Sequence, residues 1–360
     1  MTLNAAQRLI EYGQSAWYDN ISRDILFSGE LKRLITHCGV RGLTSNPTIF
    51  DNALKKGSAY DGQIASLRAR KPSVDELFEE LALQDIAAAA DLLLGVYKES
   101  EGVDGFVSIE VSPLLARDAK ATVDAARKLF DRLARPNIMI KIPGTPEGLP
   151  AIKSALEQGI NVNVTLLFSA GNYTQVAKTY CEALRTRLNN GEPISGIRSV
   201  ASFFVSRVDS TVDSELEKIV KKNGNSAESK LAQSLIGKFG IANCKLAYKE
   251  YQSIFLGSQF ADLKKAGAKV QRPLWASTST KNPNYRDVLY VEELIGPDTV
   301  NTLPQNTLEA FIDHGVLAET LTKNTGEAEL TAAQLTELGL NLEELMKRLQ
   351  DDGVEKFADS

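Results

Sequence analysis

The chain has 360 residues, of which 43% are hydrophobic and 24% charged, so its length allows one large domain or two smaller ones. This composition excludes a disordered, collagen-like or coiled-coil protein, and the net charge of −5 lacks the basic surface of a general nucleic-acid binder. The longest apolar runs fall short of the ~20 residues that span a bilayer, and the N-terminus lacks a signal-peptide core.

Short segments rich in residues that favour β-strands alternate with longer amphipathic stretches along the chain. Strands are predicted at 16–20, 40–46, 105–112, 137–144, 160–168, 199–206, 271–279 and 298–304. Eight strands joined by helical crossovers predict an α/β fold, a closed (β/α)8 TIM barrel. The alternative is a two-domain Rossmann-like protein, but no GxGxxG follows the first run and no Pro/Gly/Ser-rich linker divides the chain.

We therefore predict a single barrel domain over residues 1–360. A helical insertion is expected at about 208–270, between the sixth and seventh strands, and a C-terminal helical extension at about 325–358. The polar run at 221–230 is interpreted as an exposed loop within the insertion.

Cysteine and histidine are too sparse for a disulfide framework or a structural zinc site. The three cysteines are odd in number and far apart, and the chain has just two histidines. We expect a cytoplasmic protein without a metal, and without nucleic acid or a membrane as partner. The sequence leaves the oligomeric state open, a homo-oligomer included.

Alternation within the third to fifth strands separates an apolar face from a polar one. The β-branched face is expected to pack on the outer helices, and Leu166 is assigned to it. Glu110, Lys141, Asn163 and Thr165 then point into the barrel. Burying polar groups is costly unless they pair or do chemistry. A structural lysine–glutamate ion pair is the alternative, but four inward polar groups are more than packing requires.

A lysine inside an apolar-walled barrel has a specific chemical use. Desolvation disfavours the ammonium form, so neutral amine becomes available to attack a carbonyl. The resulting Schiff base is an electron sink for breaking an adjacent carbon–carbon bond. Glu110 would act with a water as acid and base, Thr165 would hold that water, and Asn163 would bind substrate hydroxyls. This chemistry requires no organic cofactor.

Six segments resemble transaldolases in order and spacing, and the match covers nearly the whole chain. They are TSNPTIF (44–50), VSIEVSP (107–113), IMIKIPGTPEG (138–148), NVNVTLLFS (161–169), SFFVSRVD (202–209) and NTLPQNTLEAF (301–311). The resemblance implies a class I, Schiff-base mechanism on a (β/α)8 barrel. It also implies transfer of a dihydroxyacetone unit from sedoheptulose 7-phosphate to glyceraldehyde 3-phosphate, giving erythrose 4-phosphate and fructose 6-phosphate. This reaction belongs to the non-oxidative pentose phosphate pathway, and its partners are phosphorylated ketoses and aldoses.

The resemblance assigns the catalytic roles to four residues. It implies that Lys141 forms the Schiff base, with Glu110 as acid/base and Thr165 positioning the water. Asp19, expected at the carboxyl end of the first strand, would remove the proton of the substrate C4 hydroxyl. The alternative for Asp19 is a turn or helix-capping residue before the next helix.

The resemblance also implies substrate-binding residues. Asn46 and Asn163 would bind substrate hydroxyls, although Asn46 precedes a proline and turn chemistry is the alternative. Ser202 and Arg207 would bind substrate, with Arg207 holding the phosphate at the rim, because its odd offset from Ser202 excludes a shared strand face.

The end of the seventh strand departs from many relatives, which carry a serine and an arginine there. This chain has Ser277, and the nearest cation is Lys281, for which a solvated surface lysine is the alternative. A lysine would act as a point charge without the bidentate fork of arginine.

Two rival functions remain open: a fructose 6-phosphate aldolase and a non-catalytic sugar-phosphate sensor. A sensor would be expected to lose one of Lys141, Glu110 or Asp19, and this chain keeps all three. Phe204 shares the strand face of Ser202 and is predicted to point into the pocket. Related fructose 6-phosphate aldolases carry tyrosine there, although simple packing is the alternative for this phenylalanine.

Overall fold

A computed structural model describes residues 3–56 and 58–358. Eight parallel strands form a closed barrel in which each strand pairs with its neighbours in the chain and β8 pairs with β1. The strands are β1 (Gln14–Tyr18), β2 (Leu43–Thr44), β3 (Val107–Glu110), β4 (Ile138–Pro143), β5 (Val162–Leu167), β6 (Ser199–Phe204), β7 (Arg272–Ala276) and β8 (Thr299–Leu303). The predicted (β/α)8 fold is therefore confirmed.

Helices cover the outside of the barrel and cross between its strands. They are α1 (Ala5–Arg8), α2 (Arg23–Phe27), α3 (Glu30–Cys38), α4 (Pro47–Lys55), α5 (Asp61–Arg68), α6 (Val74–Glu99), α7 (Ala119–Leu133), α8 (Gly148–Glu157), α9 (Ala170–Asn189), α10 (Ser206–Asn223), α11 (Ala227–Leu235), α12 (Phe239–Phe255), α13 (Ala261–Lys265), α14 (Leu289–Glu292), α15 (Gln305–His314), α16 (Thr325–Glu337) and α17 (Leu342–Ala358). Among the residues described, no helix is long and apolar enough to cross a membrane.

The apolar core lies mainly between the strands and these helices. Ile138, Ile140 and Ile142 of β4 are fully buried and pack in one cluster with small residues of α6 and α8, such as Ala89 and Ala155. Alternation along the strand therefore directs its β-branched side chains outward, as predicted, and leaves the opposite face for the polar residues.

Leu166 departs from this alternation, and its assignment to the outer face is wrong. The register between β5 and β6 shifts between Val164 and Leu167, and Leu166 has a φ of +60°. Such a bulge adds one residue to the strand and reverses the faces beyond it. Leu166 consequently belongs to the cluster that contains Met139 and Phe204 rather than to the outer layer.

A buried ion-pair network closes the amino-terminal end of the barrel. Arg272, at the start of β7, contacts Asp104 at 3.0 Å and donates to the hydroxyl of Ser15 at 2.7 Å. Arg41 contacts the other oxygen of Asp104 at 2.8 Å. Burial acts to raise the pKa of Asp104, but the two arginines outweigh it and hold this pKa below its usual range.

Additional helices lie between β6 and β7 and after the barrel, as predicted. The insertion begins at Ser206 rather than at about 208, so Arg207 lies in the first turn of α10. The exposed loop predicted at 221–230 is shorter than expected, because α10 extends to Asn223 and α11 begins at Ala227. The C-terminal extension consists of α16 and α17.

Candidate active site

A cavity of about 140 Å³ opens at the carboxyl ends of the barrel strands. Loops at this end bring together residues that are distant in the chain, which is why barrel enzymes carry their sites there. All of the predicted site residues except Glu110 and Asn163 line it: Asp19, Asn46, Lys141, Thr165, Ser202, Arg207, Ser277 and Lys281. A larger groove of about 490 Å³ between α10 and the α16–α17 junction contains none of them.

Lys141 projects from β4 into the barrel and has an exposed fraction of 6%. Its Nζ donates to the backbone carbonyl of Ser45 at 2.9 Å. The same Nζ lies 3.4 Å from Oε2 of Glu110, which is the paired residue on β3. The parallel register between the two strands therefore places the amine beside a carboxyl group.

Glu110 and Thr165 are buried polar groups that the described part of the protein leaves unsatisfied. Neither carboxyl oxygen of Glu110 accepts a well-formed hydrogen bond, and the hydroxyl of Thr165 has no partner. Burial raises the pKa of Glu110, while Lys141 and Arg207 act in the opposite direction. A raised pKa favours the protonated form of the carboxyl group, which can donate its proton to a bound molecule.

Asp19 directly follows β1, and its carboxylate faces the same cavity. Its Oδ1 accepts a 2.6 Å hydrogen bond from the hydroxyl of Thr44, which in turn lies 2.6 Å from the hydroxyl of Thr302. Burial raises the pKa of Asp19, with Thr44 and then Lys141 opposing that shift. The capping alternative is wrong, because Ser22 caps α2.

The two predicted hydroxyl-binding asparagines are in different surroundings. The Oδ1 atom of Asn46 accepts from the backbone N–H of Ile49 at 2.9 Å and caps α4. This atom therefore has a local structural role, as the alternative for Asn46 predicted, although the residue also lines the cavity. Asn163 is fully buried below the cavity surface. Its amide donates to Ser108 at 3.0 Å and accepts from the hydroxyl of Ser202 at 2.6 Å.

Cationic side chains lie at the rim of the cavity. The Arg207 guanidinium lies 5.1 Å from the ring centroid of Phe204 and 5.9 Å from that of Phe357. Burial lowers the pKa of Arg207, against the effects of Asp19 and Glu110. Lys281 is exposed, lines the same cavity and donates to the hydroxyl of Ser279 at 2.8 Å.

Ser277 connects the end of β7 to the start of α10. Its hydroxyl lies 2.9 Å from that of Ser206, and its carbonyl accepts from the Ser206 N–H at 3.1 Å. Ser277 has a φ of +58°, an unusual conformation for a residue with a side chain. The turn after β7 is thereby fixed next to the helix that carries Arg207.

Several lining residues were not predicted from the sequence. Thr44 lies within the segment TSNPTIF, and Thr302 lies on β8, so the ends of predicted strands were a signal that could have indicated both. Phe357 had no such signal, because it belongs to a helix beyond the barrel. Across the part of the chain that the structure covers, no group of three or more His, Cys, Asp or Glu could hold a metal ion.

The fold and cavity define a barrel enzyme whose site lies at the carboxyl ends of the strands. The family model described as transaldolase/fructose-6-phosphate aldolase matches residues 16–360. The transaldolase of Trichodesmium erythraeum is 45% identical over 360 residues, covering 99% of this chain and 94% of the relative. The transaldolase of Mycolicibacterium smegmatis is 47% identical over 349 residues, covering 97% of this chain and 92% of the relative. The transaldolase of Thermobifida fusca is 46% identical over 359 residues, covering 98% of this chain and 94% of the relative. The chain belongs to the transaldolase/fructose-6-phosphate aldolase family.

Proposed function

We propose that this protein is a transaldolase of the non-oxidative pentose phosphate pathway. It transfers a dihydroxyacetone unit reversibly from sedoheptulose 7-phosphate to glyceraldehyde 3-phosphate, giving erythrose 4-phosphate and fructose 6-phosphate. The observation that carries the proposal is Lys141, buried at the mouth of the barrel with its Nζ 3.4 Å from Glu110. The names of the curated relatives support the same reaction.

The first step joins the substrate to the enzyme. The neutral amine of Lys141 adds to the C2 carbonyl of the ketose and forms a carbinolamine. Glu110 supplies a proton, through a water held by Thr165, to the hydroxyl that leaves as water, and a protonated imine forms. The raised pKa of Glu110 suits this role, because the group carries a proton more readily than an ordinary glutamate.

The second step breaks the carbon–carbon bond. The carboxylate of Asp19 accepts the proton of the C4 hydroxyl, the C3–C4 bond breaks, and its electron pair enters the iminium to give an enamine. The aldose then departs. When a second aldose binds, the enamine carbon attacks its aldehyde and Asp19 returns the proton, after which hydrolysis of the imine frees Lys141. A pKa raised by burial makes Asp19 a stronger base than an exposed aspartate.

The substrate phosphate would bind at the rim. Arg207 supplies a guanidinium, Lys281 a second positive charge, and Ser277 a hydroxyl beside them. The substrate hydroxyls would be bound by Asn46 and Ser202. The buried Asn163 would act on them indirectly, because its side-chain oxygen accepts from the Ser202 hydroxyl and orients it.

Phe204 favours a transferase over a hydrolytic aldolase. Its ring lines the cavity and carries neither a proton donor nor a group that orders water. An enamine on Lys141 would therefore be protected from protonation until an aldose arrives. A fructose 6-phosphate aldolase, which must protonate this intermediate, is the second candidate because the family model includes both activities.

Transfer can be tested directly with purified protein. Incubation with fructose 6-phosphate and erythrose 4-phosphate should yield sedoheptulose 7-phosphate and glyceraldehyde 3-phosphate. Release of free dihydroxyacetone from fructose 6-phosphate as the main product would instead establish the aldolase. Binding without either product would support the sensor.

We also propose a cytoplasmic location, which the free cysteines Cys38, Cys181 and Cys244 support, since thiols persist in reducing compartments. We further propose a homo-oligomer, and the sedimentation rate of the purified protein would test this by giving its oligomeric state.

A further inference from the structure

The C-terminal helix contributes an aromatic wall to the cavity. Phe357, near the end of α17, has an exposed fraction of 6% and lines the cavity together with Phe204. Both rings lie within cation–π distance of the Arg207 guanidinium. Arg207 thus has aromatic neighbours from β6 and from α17, two elements that are far apart in the chain.

Specific contacts fix α17 on the barrel. The amide of Gln350 donates to the backbone carbonyls of Leu166 at 2.9 Å and Gly144 at 3.2 Å. Gly353 lies so close to Leu166 that a Cβ on it would come within 2.9 Å of that side chain. Phe357 follows Gln350 by two helical turns and therefore lies on the same face of the helix.

Among the described residues, the guanidinium of Arg207 has the rings of Phe204 and Phe357 as its contacts. No described residue forms a hydrogen bond or a salt bridge with that group, and the carboxylates of Asp19 and Glu110 act on it through charge alone. An unpaired arginine side chain loses substantial rotamer freedom when it binds a ligand. Aromatic contacts that restrict it beforehand reduce that loss.

We propose that Phe357 is a positioning residue that holds Arg207 for binding of the substrate phosphate, and so sets the preference for phosphorylated donors. This inference rests on the proposed function, in which Arg207 binds phosphate. The bulge at Leu166 and the contacts of Gln350 have a role in the same arrangement, because they place the end of α17 over the rim. Phe357 itself does not touch the reacting atoms.

The test compares Phe357→Leu, which keeps an apolar side chain but removes the ring, with Phe357→Trp, which restores an aromatic face. Met346→Leu is the matched control, since Met346 is buried in the same cluster but belongs to the start of α17. KM and kcat are measured for transfer from fructose 6-phosphate and from unphosphorylated fructose, after circular dichroism has shown that each variant is folded.

We expect Phe357→Leu to raise the KM for fructose 6-phosphate roughly threefold to thirtyfold, the span of cation–π strengths. In Phe357→Leu, kcat and the kinetics with unphosphorylated fructose should change little. Phe357→Trp should restore the low KM, and Met346→Leu should behave as the unchanged protein. An equal loss with both donors, or an unchanged KM in Phe357→Leu, would overturn the proposal.

Binding of inorganic phosphate separates this inference from the proposed reaction. Calorimetric titration should show weaker phosphate binding in Phe357→Leu by a similar factor, whether or not the protein transfers dihydroxyacetone. If the unchanged protein transfers dihydroxyacetone but phosphate binds both proteins equally, the positioning role is wrong and the transaldolase proposal stands. If the unchanged protein binds phosphate but transfers no dihydroxyacetone, the proposed function is wrong and the positioning role is not contradicted.

Discussion

At the scale of single residues, the carboxyl groups of Asp19 and Glu110 differ in what surrounds them. Asp19 accepts a 2.6 Å hydrogen bond from Thr44, whereas the oxygens of Glu110 have no such donor among the described residues. Burial raises the pKa of both groups. We infer that the hydroxyl of Thr44 orients the Asp19 carboxylate as a base, while Glu110 is left free to exchange a proton with a bound water.

Phe204 is expected to control whether the enamine is transferred or released. Phe204→Tyr introduces a hydroxyl that can hold a water near Lys141, so dihydroxyacetone release from fructose 6-phosphate should rise and transfer to erythrose 4-phosphate should fall. The measurement is the ratio of the two rates under identical conditions. An unchanged ratio in a folded variant that still forms the imine would mean that Phe204 does not set this partition.

Arg207 is expected to act chiefly by binding the phosphate of the donor. Arg207→Ala should weaken binding of phosphorylated donors by roughly 1.5–3 kcal/mol, the usual contribution of a charged hydrogen bond, with a much smaller effect on unphosphorylated donors. Lys281→Ala, measured in the same way, tests the second cation. If Arg207→Ala weakens both kinds of donor equally, then Arg207 supports the structure and the phosphate binds elsewhere.

At the scale of secondary-structure elements, local alternation explains what the sequence could predict. Glu110, Lys141 and Phe204 follow from parity within single strands, since each strand turns alternate side chains to opposite faces. The orientation of Leu166 does not follow, because the bulge arises from pairing with β6. Phe357 could not be predicted either, because its contact with Arg207 depends on how α17 packs across the barrel.

The helices after β6 contain a buried carboxyl group whose ionisation should affect stability. Asp209 of α10 accepts from the hydroxyl of Tyr290 at 2.7 Å and from the N–H of Gly240 at 2.8 Å. Burial and neighbouring Asp213 nevertheless raise the pKa of Asp209 from 3.8 to about 6. The folded protein therefore holds this proton at a pH where the unfolded chain has lost it.

The favourable contribution of the protonated group is complete below about pH 4 and is lost as the pH rises through about 6. Asp209→Asn cannot ionise. Its free energy of unfolding should therefore improve relative to the unchanged protein by roughly 3 kcal/mol between pH 4 and pH 7. Urea denaturation across this range measures the difference, with the exposed Asp124→Asn as a control. A difference that is constant with pH would contradict the raised pKa.

At the scale of the whole molecule, barrel topology brings the cavity residues together. Strand order could be predicted because each strand pairs with its neighbour in sequence, and the closure of β8 on β1 follows from the number of units. The buried network around Asp104 closes one end of the barrel. The opposite end carries the lining side chains, so a substrate reaches Lys141 from there.

The most direct test of the central claim is chemical trapping of the imine on Lys141. Borohydride added with fructose 6-phosphate should inactivate the protein and leave a three-carbon adduct on the peptide that contains Lys141, as mass spectrometry would show. Lys141→Arg should remain folded but show neither activity nor adduct, because its guanidinium stays protonated. An adduct on another lysine, or full activity in Lys141→Arg, would contradict the account.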